Sequence, residues 1–255
     1  MVINSNISAL NTYNQLTKNT TSASSSMAKL SSGLRINSAA DDAAGLSISQ
    51  KMGSQIAGLD QATRNAEDGI SYLETADGGM SEISDMLTRM KELAVQKASG
   101  TYNTDDTTNI DAEATALGSA IDKIRSNTEF NGKNVFTAAV SIAYGSKGDQ
   151  FIQLKAATFT DTMSSSSKVT DIEDAIKKVN TDRASYGALQ NQLGHVVNNM
   201  STSSQNLSAA RSRIRDVDMA SEMSEYTKDN ILVQAATSML AQANSMPQSV
   251  LKLLQ

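Results

Sequence analysis

One stretch constrains the fold more than any other, because its apolar residues recur at alternating steps of four and three from Ile172 to Ile214. Nine of the thirteen positions in this seam are apolar or tyrosine. The seam consists of Ile172, Ile176, Val179, Arg183, Tyr186, Gln190, Leu193, Val197, Met200, Ser204, Leu207, Arg211 and Ile214. A sustained period of 3.5 residues is typical of a helix packed lengthwise against other helices. At about 1.5 Å per residue such a helix is longer than a compact domain is wide, which predicts a rod.

Composition agrees with a thin helical core. Hydrophobic residues make up 39% of the 255-residue chain and aromatic residues 4%, and Pro247 is its one proline. A chain almost without proline suits long helices. Because cysteine is absent, disulfides, thiolate metal sites and cysteine nucleophiles are excluded. The net charge of -5 argues against a nucleic-acid partner.

The two ends of the chain carry opposite charge and apolar seams of their own. Residues 1–40 hold three basic and no acidic residues, whereas residues 216–255 hold five acidic and two basic residues, a net charge of -3. Seam positions include Ile3, Ile7 and Leu10 near the start and Leu232, Met239, Val250 and Leu253 near the end. Opposite charge favours pairing of the two terminal helices with each other.

The middle of the chain predicts two more helices and a hairpin. Helical spacing runs from about residue 46 to 98 through five glycines, which indicate either a break near Gly78 or close contact between helices. Asn103 or Thr104 caps a third helix, which Asn131-Gly132 ends. Alternation on both sides of residues 145–149 predicts a β-hairpin. Residues 164–167 form a polar linker or, alternatively, a glycosylated surface.

Several motifs along the chain resemble those of bacterial flagellins. They are residues 31–38 (SSGLRINS) with 41–45 (DDAAG), 65–70 (NAEDGI), 92–96 (ELAVQ), 130–132 (FNG), 210–214 (ARSRI), 240–244 (LAQAN) and 247–251 (PQSVL). The resemblance covers nearly everything except about residues 138–167, where many flagellins carry large outer domains. The chain is therefore similar to a short flagellin without those domains.

The resemblance and the seams together predict a mainly α fold: a coiled-coil rod with paired terminal helices and a small β-hairpin. Residues 1–40 and 216–255 would form the inner filament core, and residues 41–134 and 168–215 a helical rod domain. Residues 135–167 would replace the outer variable domains. The family implies a homopolymeric filament for swimming motility, exported through the flagellar type III apparatus to the extracellular flagellum. The first 17 residues, without lysine, arginine or a long apolar run, fit neither a secretory signal nor a membrane span.

The resemblance also implies partners and contact residues. A secretion chaperone, hook-associated and cap proteins, and flagellin-sensing host receptors of the Toll-like class are the partners expected from the family. Arg89, Glu92, Leu93 and Glu113 match positions used in subunit packing and receptor recognition. Arg89 and Leu93 lie one helical turn apart, so we expect them to share a face. The terminal seams would form the inner core.

No motif predicts catalysis, a cofactor or a metal. His195 is the one histidine, which excludes a two-histidine zinc motif, and we interpret it as a packed or surface residue. Two alternatives stay open beside a flagellin: a hook–filament junction protein, or a secreted helical adhesion protein that never polymerises. Neither a membrane span nor a nucleic-acid partner is expected.

Overall fold

The protein is described here by a computed structural model that covers residues 6–137, 139–145, 147–159, 163–164 and 167–253, with side chains to residue 246. The elements in chain order are α1 (Ile7–Ser32), α2 (Ala43–Lys97), α3 (Thr104–Asn127), β1 (Glu129–Phe130), β2 (Lys133–Asn134), β3 (Val140–Ala143), β4 (Phe151–Leu154), α4 (Val169–Arg215) and α5 (Met219–Leu253). The mainly helical fold predicted from the seams is confirmed.

Helix α4 follows the seam that opened the sequence analysis. The helix has 47 residues, about 70 Å at the usual rise per residue. Its buried residues include five seam positions that are seven residues apart: Ile172, Val179, Tyr186, Leu193 and Met200. The strict heptad spacing therefore identified the buried stripe of this helix.

The chain divides into two compact units, described separately below. Unit 1 comprises residues 1–54 and 207–255, and unit 2 comprises residues 55–206. The units divide within α2 and α4, whereas the domain limits predicted from the sequence lie where helices end, near residues 40 and 216.

Unit 2 encloses one large apolar core. Parts of α2 and α4, together with α3 and both hairpins, contribute to it. In α2 the buried stripe again has heptad spacing, through Ala66, Leu73, Met80 and Leu87, each at most 1% exposed. The hairpin and loop segments add buried side chains to the same cluster, namely Val135, Phe136, Ile142, Ile152, Leu154, Ala157 and Phe159. The core is thus built by helices and by the short β segments together.

The glycines of α2 do not break the helix, which is continuous through Gly78. A break near Gly78 was one of two interpretations, and it is wrong. The other interpretation, close contact between helices, is supported in part, because a Cβ on Gly69 would lie 3.4 Å from Leu193 of α4. The tighter neighbours are a strand and a loop: a Cβ on Gly69 would clash with Ile142, and a Cβ on Gly79 would lie 2.9 Å from Cζ of Phe136.

Helix α3 begins with the cap that the sequence predicted. The side chain of Asn103 accepts a hydrogen bond from the backbone N–H of Asp106 at 2.7 Å. Asp106 in turn accepts from the backbone N–H of Asn103 at 3.4 Å, which completes a capping box.

Two hairpins are present where one was predicted. Strands β3 and β4 pair antiparallel in the expected place, with Ile142 opposite Ile152. Strands β1 and β2 form a second antiparallel pair around Asn131-Gly132. Both turn residues have positive φ, 50° and 72°, as a two-residue Asn-Gly hairpin turn requires. The prediction that Asn131-Gly132 merely ends α3 was therefore incomplete.

Unit 1 pairs the two ends of the chain, because α1 packs against α5. Helix α1 ends at Gly33, which adopts the left-handed conformation that a helix C-cap favours. The two segments next to these helices also join: the backbone N–H of Arg35 donates to the carbonyl of Arg215 at 2.7 Å, and the N–H of Val217 donates to Gly33 at 3.1 Å. The predicted pairing of the terminal helices is confirmed.

Candidate interaction surfaces

The large apolar side chains of unit 1 lie mostly on its surface. Fourteen exposed large apolar or aromatic side chains occur among the described residues, and eleven of them belong to unit 1. These eleven are Ile7, Leu10, Tyr13, Met27, Ile48, Met219, Met223, Ile231, Leu232, Met239 and Met246. The buried residues of α1 and α5 are instead small or polar, namely Asn19, Ser26, Asp229 and Ala243. An exposed apolar surface of this extent marks an interaction site.

The predicted terminal seams do not lie enclosed between α1 and α5. Ile7, Leu10, Leu232 and Met239 are all at least 40% exposed, so they are not buried between α1 and α5 of one chain. Their place in the inner filament core stays a prediction. The seam residues stay exposed although α1 and α5 are paired, because small residues such as Ser26 and Ala243 lie at the contact and the large residues remain outside it. Ile3 lies outside the described residues.

Two further seam positions, Val250 and Leu253, lie in α5, but their side chains are outside the described part of the chain.

Polar contacts set the antiparallel register of the helix pair. Near one end, the Asn6 side-chain amide donates to the carbonyl of Ala243 at 2.8 Å. Towards the other end, Lys29 Nζ lies 3.8 Å from Glu222 Oε1, which joins the basic and acidic helices as the charge pattern predicted. Because such a partly exposed ion pair contributes only about 0–1 kcal/mol, it selects the register more than it stabilises the pair.

In unit 2 a charged cluster brings together three of the predicted site residues. Arg89 Nε donates to Glu113 Oε1 at 3.0 Å, and Arg89 Nη1 donates to Glu92 Oε2 at 3.0 Å. Hydrogen bonds to both carboxylates raise the pKa of the Arg89 guanidinium, first that to Glu92 and then that to Glu113. The three side chains are about half exposed. They therefore form a preordered charged surface on α2 and α3.

Leu93 does not share this surface, so the expectation of a common exposed face with Arg89 is wrong. Its side chain is 2% exposed and packs with Ile110 and Ala114 of α3. Side chains four residues apart on a helix differ in direction by about 40°. Here that difference leaves Arg89 in solvent and places Leu93 in the contact between α2 and α3. Leu93 instead helps to pack α2 against α3, the two helices that carry the charged cluster.

Sequence reasoning missed two neighbours of the charged cluster. Val95 and Tyr102 are 55% and 40% exposed, and they are two of the three exposed large apolar or aromatic side chains in unit 2. The Tyr102 hydroxyl accepts a hydrogen bond from Gln96 at 3.2 Å. Val95 lies three residues after Glu92 on the same helix, so a combination of charged and apolar groups is accessible there. The available signal was an aromatic residue, Tyr102, just before the predicted cap of α3.

Nothing among the described residues suggests catalysis. His195 is exposed beside an open groove that Tyr144, Gln150 and Met200 also line. Within the described part of the chain, no group of three or more potential metal ligands occurs, and no helix is apolar enough over sufficient length to cross a membrane. The long helices and the exposed apolar residues of unit 1 define a class of helical proteins with surfaces available for association.

Comparison with known proteins identifies the family. The model described as the bacterial flagellin N-terminal helical region matches residues 3–141, and that of the C-terminal helical region matches residues 169–254. A flagellin of Halalkalibacterium halodurans is 43% identical and one of Bacillus subtilis is 42% identical, each over all of both chains. A flagellar filament 33 kDa core protein of Treponema phagedenis is 41% identical, also over all of both chains. The chain belongs to the bacterial flagellin family: it is a structural subunit of the flagellar filament and not an enzyme.

Proposed function

We propose that unit 1 forms the inner core of the filament and that its exposed apolar residues pack against other copies of the chain. The observation that carries this proposal is the position of eleven large apolar or aromatic side chains on the surface of unit 1. Fully burying one such side chain contributes about 1.5–3 kcal/mol, and a homopolymer repeats that gain in every subunit. Assembly thus supplies the burial that α1 and α5 do not obtain from each other.

Seeded polymerisation tests this proposal. Purified subunits are added to filament fragments, and elongation is followed by light scattering and electron microscopy. We expect Leu10→Ser to raise the subunit concentration needed for elongation about tenfold or more, because a polar group replaces a buried apolar one. Phe151→Ser is the matched control, since Phe151 is 55% exposed and Leu10 59% exposed, but Phe151 lies in unit 2. Equal elongation by both variants would contradict the proposal.

We propose that the surface of Arg89, Glu92 and Glu113 takes part in axial contacts between subunits and is recognised by a flagellin-sensing host receptor. Support comes from the preordered ion pairs, the adjacent exposed Val95 and the match to family motifs. Charged surfaces of fixed geometry provide specificity in recognition more than affinity. Leu93 acts indirectly, by holding α2 on α3.

Receptor-reporter cells and the same elongation assay test the second proposal. We expect Arg89→Ala to weaken both signalling and elongation about tenfold, while Arg64→Ala leaves both unchanged. Arg64 is also exposed in α2, but it donates its hydrogen bonds to the neutral side chain of Gln61. Normal signalling and normal elongation by Arg89→Ala would overturn the proposal. Cross-linked filament that signals as strongly as free subunits would show that this surface is not covered in the filament.

Family membership also supports a route and further partners. We propose export through the flagellar type III apparatus with a secretion chaperone, and contact with hook-associated and cap proteins at the extracellular flagellum. A secretion assay in cells with and without a functional export gate tests the route, and equal amounts of chain in both culture media would contradict it.

A further inference from the structure

The most exposed methionines among the described residues all belong to unit 1. Five described methionines have half-exposed side chains, and all five lie in unit 1: Met27, Met219, Met223, Met239 and Met246. The methionines of unit 2 are buried or half-buried, with Met80 and Met90 each 1% exposed. Nearly half of the exposed large apolar or aromatic side chains of unit 1 are therefore thioethers.

The five thioethers lie at two levels of the α1–α5 pair. The contact of Lys29 with Glu222 places Met27 at the level of Met223, and Met219 lies one turn away on the same helix face. The contact of Asn6 with Ala243 lies between the levels of Met239 and Met246, which are seven residues apart and so share a face. Two or three exposed thioethers thus lie towards each end of the helix pair, within the surface proposed above for assembly.

We infer that these five methionines are a peroxide-sensitive modification site whose oxidation blocks assembly of the free subunit and which assembly itself protects. The inference rests on the function proposed for unit 1. The thioether sulfur attacks one peroxide oxygen, an S–O bond forms while the O–O bond breaks, and hydrogen peroxide is reduced to water. The sulfur loses two electrons and becomes a sulfoxide. Since the chain has no cysteine, no thiol of its own competes for the oxidant.

Oxidation changes the chemistry that the assembly surface needs. A sulfoxide is a polar group with a strong acceptor oxygen, whereas the thioether is apolar and flexible. Burying an acceptor without a donor opposes association. The buried methionines of unit 2 are shielded by the core, so unit 2 stays folded while unit 1 loses its ability to pack. Reduction by a methionine sulfoxide reductase, which oxidises two thiols to a disulfide and releases water, restores the surface.

The experiment treats free subunits and preformed filaments of the full-length protein with hydrogen peroxide and maps sulfoxides by peptide mass spectrometry. In free subunits we expect the five exposed methionines to oxidise about tenfold or more faster than Met80 and Met90, since susceptibility follows exposure. In filaments the same five should be protected. Oxidised subunits should need about tenfold or more higher concentration to extend untreated seeds, and reductase treatment should restore elongation.

A variant with Met27→Leu, Met219→Leu, Met223→Leu, Met239→Leu and Met246→Leu keeps the apolar volume but cannot be oxidised at these positions. We expect it to extend seeds after peroxide treatment. If oxidised wild-type subunits elongate normally, or if peroxide inhibits the variant equally, the inference is wrong while the proposed function stands. If the variant fails to elongate even without peroxide, the reductase experiment on oxidised wild-type subunits tests the inference. Recovery of elongation after reductase treatment supports the inference, and no recovery overturns it. Untreated wild-type subunits that never extend seeds would overturn the proposed function itself.

Discussion

Units 1 and 2 use the same sequence period with opposite results. In unit 2 the heptad positions Leu73 and Leu193 are fully buried within the chain. In unit 1 the seam residues Leu10 and Met239 are each 59% exposed. A period of 3.5 residues therefore shows that a helix has a face to bury, but it does not show whether the partner belongs to the same chain or to another copy.

The residues at the helix contacts explain the difference. Large side chains fill the core of unit 2, where α2, α3, α4 and two hairpins contribute to one cluster. Where α1 and α5 meet, Ser26 and Ala243 are buried, and they bring little apolar area out of water. Unit 2 thus encloses its own apolar core, whereas α1 and α5 leave most of their large apolar side chains outside their mutual contact.

The largest expected effect comes from removing a large side chain in each unit. Leu73→Ala should lower the free energy of unfolding of the free subunit by about 2–5 kcal/mol, because it leaves a cavity in the core of unit 2. Leu10→Ala should change it by less than about 0.5 kcal/mol, because the side chain is exposed. Urea unfolding of free subunits, followed by circular dichroism, measures both values. If the free energy of unfolding falls by similar amounts in the two variants, unit 1 is stabilised by its own buried side chains as much as unit 2 is.

A buried carboxylate gives the next largest effect. Asp182 of α4 accepts hydrogen bonds from the backbone N–H groups of Thr158 at 2.7 Å and Phe159 at 3.1 Å, and from the Thr158 hydroxyl at 2.8 Å. Asp182→Ala leaves the buried N–H of Phe159 and the partly buried donors of Thr158 without their acceptor, which should cost about 2 kcal/mol.

Urea unfolding measures the loss, and amide hydrogen exchange should accelerate at Thr158 and Phe159. Asp174→Ala is the control, because Asp174 is exposed on the same helix and pairs with Lys177. We expect little change from it. If the amides of Thr158 and Phe159 exchange at the wild-type rate in Asp182→Ala, the carboxylate does not hold this segment.

Two adjacent glycines of α2 provide a matched pair with a smaller effect. Gly78→Ala should stabilise the chain by about 0.5–1 kcal/mol, since its Cβ would meet nothing within 4 Å. Gly79→Ala should lose that gain, because its Cβ would lie 2.9 Å from Phe136. Thermal unfolding of the two variants measures the difference. A larger stabilisation by Gly79→Ala would show that Phe136 moves without cost.

Local rules predicted much of this fold from the sequence. Heptad spacing identified the buried stripe of α4, Asn103 identified the start of α3, and alternation identified the hairpin of β3 and β4. The hairpin of β1 and β2 was missed because two-residue strands are too short to show alternation. Its Asn131-Gly132 turn was the signal that was available.

The interaction surfaces were less predictable, because they depend on contacts between distant segments. The spacing of Arg89 and Glu92 places them on one helix face, but only the packing of α3 brings Glu113 within reach. The same packing buries Leu93. No local pattern could show that the terminal seams, with Leu10 among them, would remain outside the α1–α5 contact.

The smallest effect at neutral pH concerns a tyrosine in the core of unit 2. Burial raises the pKa of Tyr186 to about 12, and the nearby charge of Asp182 adds to the shift. The buried hydroxyl of Tyr186 has no hydrogen-bond partner among the residues that the structure describes, so Tyr186→Phe should change stability by less than about 0.5 kcal/mol at pH 7. Tyr72→Phe is the matched control and should cost about 1 kcal/mol there, because the Tyr72 hydroxyl donates to the carbonyl of Val135 at 3.2 Å.

Alkaline pH separates the wild type from Tyr186→Phe. The neutral phenol is the favoured form in the folded chain, so its contribution is complete below the ordinary tyrosine pKa of about 10. It is lost as the pH rises from there through the folded value of about 12, because the unfolded chain releases this proton first. Phenylalanine cannot titrate, so Tyr186→Phe should become progressively more stable than the wild type over this range. Urea unfolding at pH 8 and pH 11 tests this, and a stability difference that stays constant between the two values would mean that Tyr186 ionises as readily in the folded chain as in the unfolded one.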